Sequence, residues 1–183
     1  MAPGGSGIAP AGPGPEGLNC VQVAAALDLQ PHQEGGYFRE TYRSPIETPT
    51  PVGPRALCTS ILYMLTADDA SRFHRLRFDE LWFFHAGSPV EMVFLDPVET
   101  IFLRPEAPQA LAPGGRWMAA RIVGLQGDDA AASPGPGPGW APDWALVGCV
   151  VNPGFDYADF ETGEREALLQ EFPSAAEIIT ALT

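Results

Sequence analysis

A chain of 183 residues with 45% hydrophobic content has enough apolar material for one domain with a real core, and too much for a disordered protein. Acidic residues outnumber basic ones 23 to 10, for a formal charge of −13. A body this acidic repels polyanions and argues against an extended nucleic-acid partner. No segment approaches the roughly 18 to 20 apolar residues of a membrane span and no secretory signal is visible. The three cysteines, Cys20, Cys58 and Cys149, have no close pair. A cytoplasmic protein without a disulfide framework is the expectation.

Gly and Pro number 20 each and concentrate at two places. Residues 1–17 are expected to form a disordered tail. Residues 18–183 are expected to form a single domain, interrupted by a flexible Gly/Pro-rich insertion at 124–143. After the tail, Asn19 with Gln22 three residues on is a capping-box pattern that opens a short helix through "VQVAAALDL", with Pro31 as its stop. From Tyr37 the period changes. "YFRETYR" alternates aromatic and polar residues, and this alternation sets Arg39 and Arg43 on one side of a strand. "ALCTSILYML", "RFHRLRF", "LWFFHA", "VEMVFL", "ETIFL", "RWMAARIV" and "WALVGCVV" continue the series, separated by "TADDAS", "GSP", "DP", "APGG" and "NPG". Short apolar runs divided by such turn residues predict an all-β sandwich or barrel. The chain closes with two short helical segments. "GEREALLQEF" carries Leu168, Leu169 and Phe172 on one face, and "PSAAEIITALT" offers Ser174 and Glu177 as a second capping box.

Chemistry concentrates in "SRFHRLRFDELWFFHAG", residues 71–87, which holds two of the three histidines. His74 titrates near neutral pH and suits a general base, and a neighbouring Glu80 can orient its ring and stabilise its charged form. The alternative for His74 is a hydrogen-bonded pocket residue without chemistry. His85 lies at odd offset from Glu80 and is expected on the opposite strand face. Gly35 and Gly36 allow a tight turn, from which Glu34 and, on the next strand, Arg39 can reach over a cavity mouth. Trp82 and Phe84 share the parity of Glu80. Trp117 follows a Pro-Gly-Gly turn where a pocket wall is expected, and Phe155 sits in "NPGFDYADF". Tyr37, Tyr42 and Tyr63 are strand-borne partners for a proton transfer. Asp156 and Asp159 are read as turn and surface residues.

His74, Leu76, Glu80 and Gly87 fall on the spacing of the first cupin motif, with leucine in place of its second histidine. Pro113, Gly114 and Gly115 resemble the start of the second motif, with Met118 where its histidine belongs. Three blocks, "LDLQPHQEGGYFRETYRSP", "FDELWFFHAGSPVEMVFL" and "WALVGCVVNPGFDYADFE", resemble the small single-domain cupin-5-type family, a domain of unknown function. The resemblance implies an all-β jelly-roll barrel, the cupin double-stranded β-helix, with short flanking helices and pairing into homodimers. It carries over no established catalytic residues.

A mononuclear metal site needs three or four imidazole and carboxylate ligands. Leucine cannot ligate and a thioether suits soft ions, so no metal cofactor is expected; if a metal were present, His74 and Glu80 would hold it, with His32 or His85 as a rescuing ligand. The function expected is binding of a small organic ligand, nucleobase-, nucleotide- or nucleotide-sugar-like. His74 and Glu80 stand at its centre, with Glu34, Arg39, Tyr63, Trp82, Trp117 and Phe155 as ligand contacts. Two alternatives stay open. One is a metal-free isomerase or epimerase on a sugar-nucleotide-like substrate with His74 as general base. The other is a metal-dependent cupin enzyme with a reduced ligand set.

Overall fold

A computed structural model describes residues 17–124 and 142–183. Nearly all of the expected tail and insertion lie outside the described residues. The alternating runs form antiparallel strands throughout. They are β1 (Gln30–Pro31), β2 (Tyr37–Arg43), β3 (Glu47–Thr48), β4 (Arg55–Ala56), β5 (Thr59–Thr66), β6 (Ser71–Leu76), β7 (Asp79–Gly87), β8 (Val90–Phe94), β9 (Glu99–Leu103), β10 (Gln109–Ala112), β11 (Met118–Ile122), β12 (Trp144–Asn152) and β13 (Phe160–Thr162). A six-stranded sheet in the order β1-β2-β5-β12-β7-β10 faces a five-stranded sheet in the order β13-β6-β11-β8-β9, and β3 and β4 make a separate hairpin. The sheets are not closed into a continuous barrel; the jelly roll is a sandwich of two curved layers.

Period 2 decides what each strand offers to the interior. Tyr63 and Leu65 of β5, Trp82 of β7, Met92 and Phe94 of β8, Met118 and Ala120 of β11 and Val147 and Cys149 of β12 form the buried layer between the sheets. The outer face of the five-stranded sheet is apolar as well. Phe73, Val93, Leu95, Trp117 and Ala119 point outward and are covered by Leu168 of α2 (Arg165–Glu171) and by Ile179 of α3 (Ala176–Ala181). On the outer face of the six-stranded sheet, Val23 of α1 (Cys20–Ala26) packs with Met64, Trp144 and Leu146. The flanking helices thus each bury one stripe on a sheet, since helices this short are not stable alone.

Two helix-end expectations need correction. The capping box at Asn19 and Gln22 forms with both reciprocal hydrogen bonds at 3.0 Å, but α1 ends at Ala26 rather than at Pro31. Asp28 takes a left-handed φ of 54°, which stops the helix, and Pro31 lies in β1. Ser174 caps nothing. A one-turn 3-10 helix beginning at Pro173 precedes α3, so Ser174 sits inside that turn and α3 starts without a side-chain cap.

Candidate functional site

A cavity of about 430 Å³ opens at one end of the sandwich. Its walls follow directly from strand parity. Phe38 and Glu40 come from β2, Thr59, Ile61 and Tyr63 from β5, His74 and Leu76 from β6, Glu80 and Trp82 from β7, and Cys149 and Val151 from β12. The turn between β1 and β2 adds His32 and Glu34, and the segment after β12 adds Phe155, Asp156 and Tyr157.

The polar groups gather at the inner wall. Glu34 is held by Ser71, whose hydroxyl donates to its Oε2 at 2.9 Å. The same oxygen lies 3.4 Å from His74 Nδ1 and 3.9 Å from His32 Nδ1. His74 Nδ1 is 2.8 Å from the carbonyl oxygen of Arg72 on its own strand. Glu80 accepts from the Trp82 indole N–H at 2.7 Å, across one strand period. Tyr63 donates its hydroxyl to the carbonyl of Gly35 at 2.8 Å and packs edge-on to Trp82 at 5.8 Å between ring centroids.

Burial governs the charge of this cluster. Desolvation pushes both Glu34 and Glu80 up to about 7, against the smaller opposing influence of His32 on Glu34 and of His74 on Glu80. The same desolvation lowers His32 and His74 below the ordinary histidine value, despite the glutamate beside each. Tyr63 and Cys149 are pushed well up by burial, which keeps the phenol and the thiol protonated. At neutral pH the inner wall therefore carries two neutral imidazoles and two carboxyl groups poised between acid and carboxylate.

Of the expected contacts, the structure brings His74, Glu80, Glu34, Tyr63, Trp82 and Phe155 to one cavity and leaves Arg39 and Trp117 outside it. Arg39 is exposed on the outer face. A bulge at Thr41 interrupts the β2–β5 register, so that Arg39 pairs with Leu62 while Arg43 pairs with Thr59. The extra residue reverses parity, and Arg43 lines the cavity where Arg39 was expected. Its guanidinium is held by Glu40 at 2.7 Å and by the carbonyl of Phe155 at 3.1 Å. Trp117 has the opposite parity to the inward Met118 and lies beneath the helices with Arg75 4.4 Å over its ring. Asp159 is not a surface residue. It is buried and receives Arg55 at 2.6 Å and Arg77 at 3.0 Å, which hold its carboxyl below the ordinary range. His85 is the bulged residue opposite β12; it is exposed and lies over Gly148 on the outer face. His32 stood in the sequence only as a rescuing ligand, and no strand period announces it, because it reaches the cavity from a turn.

Among the described residues no group of three His, Cys, Asp or Glu side chains converges to hold an ion. Leu76 lines the cavity at one of the four motif positions, and Met118, opposite His74 in the ladder, is packed into the core layer. Of the acidic donors, Glu34 accepts from Ser71 and Glu80 from Trp82.

Two facing antiparallel sheets with a cavity at one end, lined by three of the motif positions, His74, Leu76 and Glu80, define a cupin. Within that superfamily, the chain belongs to the Cupin_5 family, described as cupin superfamily (DUF985), which matches residues 21–163. It is similar to a solved hypothetical protein from Leishmania major, at 29% identity over 90% of this chain and 98% of that one, with a TM-score of 0.76. A protein from Shewanella oneidensis is 32% identical over 90% of this chain and 97% of its own, with a TM-score of 0.72. A cupin 2 conserved barrel domain protein from Rhodopseudomonas palustris shares the fold at 14% identity, over 82% and 88% of the two chains, with a TM-score of 0.52. Among curated proteins none matches this sequence.

Proposed function

We propose that this cupin binds a small, flat organic molecule in the cavity, of the size and kind of a nucleobase, alone or within a nucleotide or nucleotide sugar. The observation that carries the reading is the composition of the cavity: apolar and aromatic walls from Phe38, Ile61, Trp82, Val151 and Phe155 around a buried cluster of imidazoles and carboxyls. Such a pocket rewards apolar area and recognises a few polar atoms in fixed positions. Arg43 and Tyr157, both partly exposed, give a polar rim for a substituent that reaches solvent. Thermal-shift measurement against bases, nucleotides and nucleotide sugars tests it. A true ligand present at 100 times its dissociation constant adds about 2.7 kcal/mol of stability. His74→Ala is expected to abolish that shift while the variant still unfolds cooperatively; a retained shift would move the site elsewhere.

One observation favours a second reading, a metal-free isomerase with His74 as general base. Its Nδ1 is committed to the Arg72 carbonyl, which leaves Nε2 as the basic atom, and Glu80 favours the imidazolium that would form. Tyr63 is a poor return acid because its proton is held by Gly35. Exchange of a ligand C–H with deuterated solvent, lost in His74→Gln, separates this reading from plain binding.

We further infer that two copies pair in solution, as the resemblance implies, and that the protein works in the cytoplasm. The second inference is supported by three unpaired cysteines and by the absence, among the described residues, of any helix long and apolar enough to cross a membrane.

A further inference from the structure

The two cavity histidines are held in opposite neutral tautomers by the main chain. The backbone N–H of Glu34 donates to His32 Nδ1 at 3.3 Å. An atom that accepts carries no proton, so the proton of a neutral His32 is on Nε2. His74 Nδ1 faces the carbonyl oxygen of Arg72 at 2.8 Å. A carbonyl only accepts, so His74 carries its proton on Nδ1 and a lone pair on Nε2. Burial keeps both rings neutral. Both rings line the cavity, their Nδ1 atoms are the ones the main chain engages, and among the described residues no protein group bonds either Nε2. Among the described residues the one fully buried side-chain nitrogen or oxygen without a partner is Trp117 Nε1, so both histidine Nε2 atoms keep access to the cavity.

We propose that His32 and His74 together read one edge of the ligand, His32 Nε2–H donating to an acceptor and His74 Nε2 accepting from a donor, and that the ligand class is a neutral lactam or cyclic amide. This rests on the reading of the cavity as a ligand site and narrows it. A cis-amide edge presents a carbonyl oxygen beside an N–H and answers both rings. A carboxylate sets a lone pair against His74 and meets two glutamates that are near ionisation. An ammonium or amidinium sets a hydrogen against the His32 N–H. Each mismatch leaves a buried polar group unpaired, which costs about 1–3 kcal/mol, or roughly tenfold or more in affinity. The edge-to-face contacts around His32, with Phe38 at 4.6 Å and Tyr63 at 5.5 Å between centroids, fix its plane.

The test uses the full chain labelled with ¹⁵N-histidine. Long-range ¹H–¹⁵N correlation distinguishes the tautomers without any ligand; His32→Gln and His74→Gln assign the rings, and exposed His85 is the internal reference. One ring is expected with bare Nδ1 and the other with bare Nε2. The same tautomer in both rings would overturn the proposal while leaving the ligand site itself standing. Uracil and 2-pyridone are then titrated against benzoate and benzamidine. The lactams are expected to move both Nε2 signals and to bind at least about tenfold more tightly than either charged probe. Tighter binding of benzoate or benzamidine would refute the assignment of the edge. Opposite tautomers with no response to any of the four probes would remove the ligand site, and the proposal with it.

Discussion

Glu80 carries the clearest consequence at the scale of a single residue. It is buried, bonded by one indole N–H, and its carboxyl is pushed from an ordinary 4.5 to about 7. Below pH 4.5 the folded and unfolded chains both hold this proton; between 4.5 and about 7 only the folded chain does; above that neither does. The stability contributed by protonated Glu80 is therefore lost as pH rises through that window. His74 runs the other way, since its lowered value lets the unfolded chain take up the proton first as pH falls below 6.5. Glu80→Gln keeps an acceptor for Trp82 and cannot ionise. Relative to the parent, the variant is expected to gain about 2–3 kcal/mol between pH 4.5 and pH 8, an amount set by the size of the carboxyl's displacement. Urea unfolding at pH 4.5 and pH 8 measures it, and a difference that stays constant with pH would mean that Glu80 is ionised in the fold.

At the scale of elements, the turn between β1 and β2 determines whether the cavity has its polar wall. Gly35 has φ 112° and Gly36 φ 68°, and a Cβ on Gly35 would be driven into the carbonyl oxygen of Ala70. Through this close approach Gly36 reaches the Asp69 carboxylate at 3.1 Å, and the carbonyl of Glu34 receives the Arg72 amide at 3.2 Å. Gly35→Ala is expected to lose more than about 2 kcal/mol, from backbone strain plus displacement of the β5–β6 turn, and to weaken ligand binding. Gly115 is the internal comparison. It also has positive φ, at 81°, but nothing lies within 4 Å of its missing Cβ, so Gly115→Ala meets only the backbone strain, about 1 kcal/mol. Equal losses in the two variants would show that the contact with Ala70 is unimportant. The same turn explains what could be read from the sequence. Strand interiors were legible because period 2 reports burial directly, and so Trp82 lines the cavity on the same side of its strand as Glu80. Parity fails where a residue is added or where no strand exists. Arg39 faces outward between the inward Phe38 and Glu40, the bulge at Thr41 turned Arg43 inward, and His32 entered from a turn whose path is set by a distant Ala70. Trp117 followed its parity faithfully; what was invisible was that helices at the end of the chain cover the other face of its sheet and make the outward side apolar too.

At the scale of the whole molecule, the described residues cover the two sheets unequally. The helices α2 and α3 seal the outer face of the five-stranded sheet, whereas α1 reaches only the end of the six-stranded one marked by Met64, Trp144 and Leu146. Across the part that no described helix covers, the ladder aligns one row: Leu111 opposite Leu81, Leu81 opposite Val150, Val150 opposite Ser60 and Ser60 opposite Tyr42. Leu111 is 47% exposed, Leu81 43% and Tyr42 51%. A mainly apolar row on a sheet face, broken here only by Ser60, suits a second copy of itself, because a two-fold axis sets the same surface against itself. Light scattering on eluting protein is expected to give twice the chain mass. Leu81→Glu at the centre of the row would bring two carboxylates together across the axis and is expected to yield a folded monomer, since the side chain is already half in solvent. Val98, 51% exposed in the β8–β9 turn of the other sheet, is the control: Val98→Glu adds the same charge and leaves the pair intact. A monomeric parent, or a Leu81→Glu variant that still pairs, would place the seam elsewhere or nowhere.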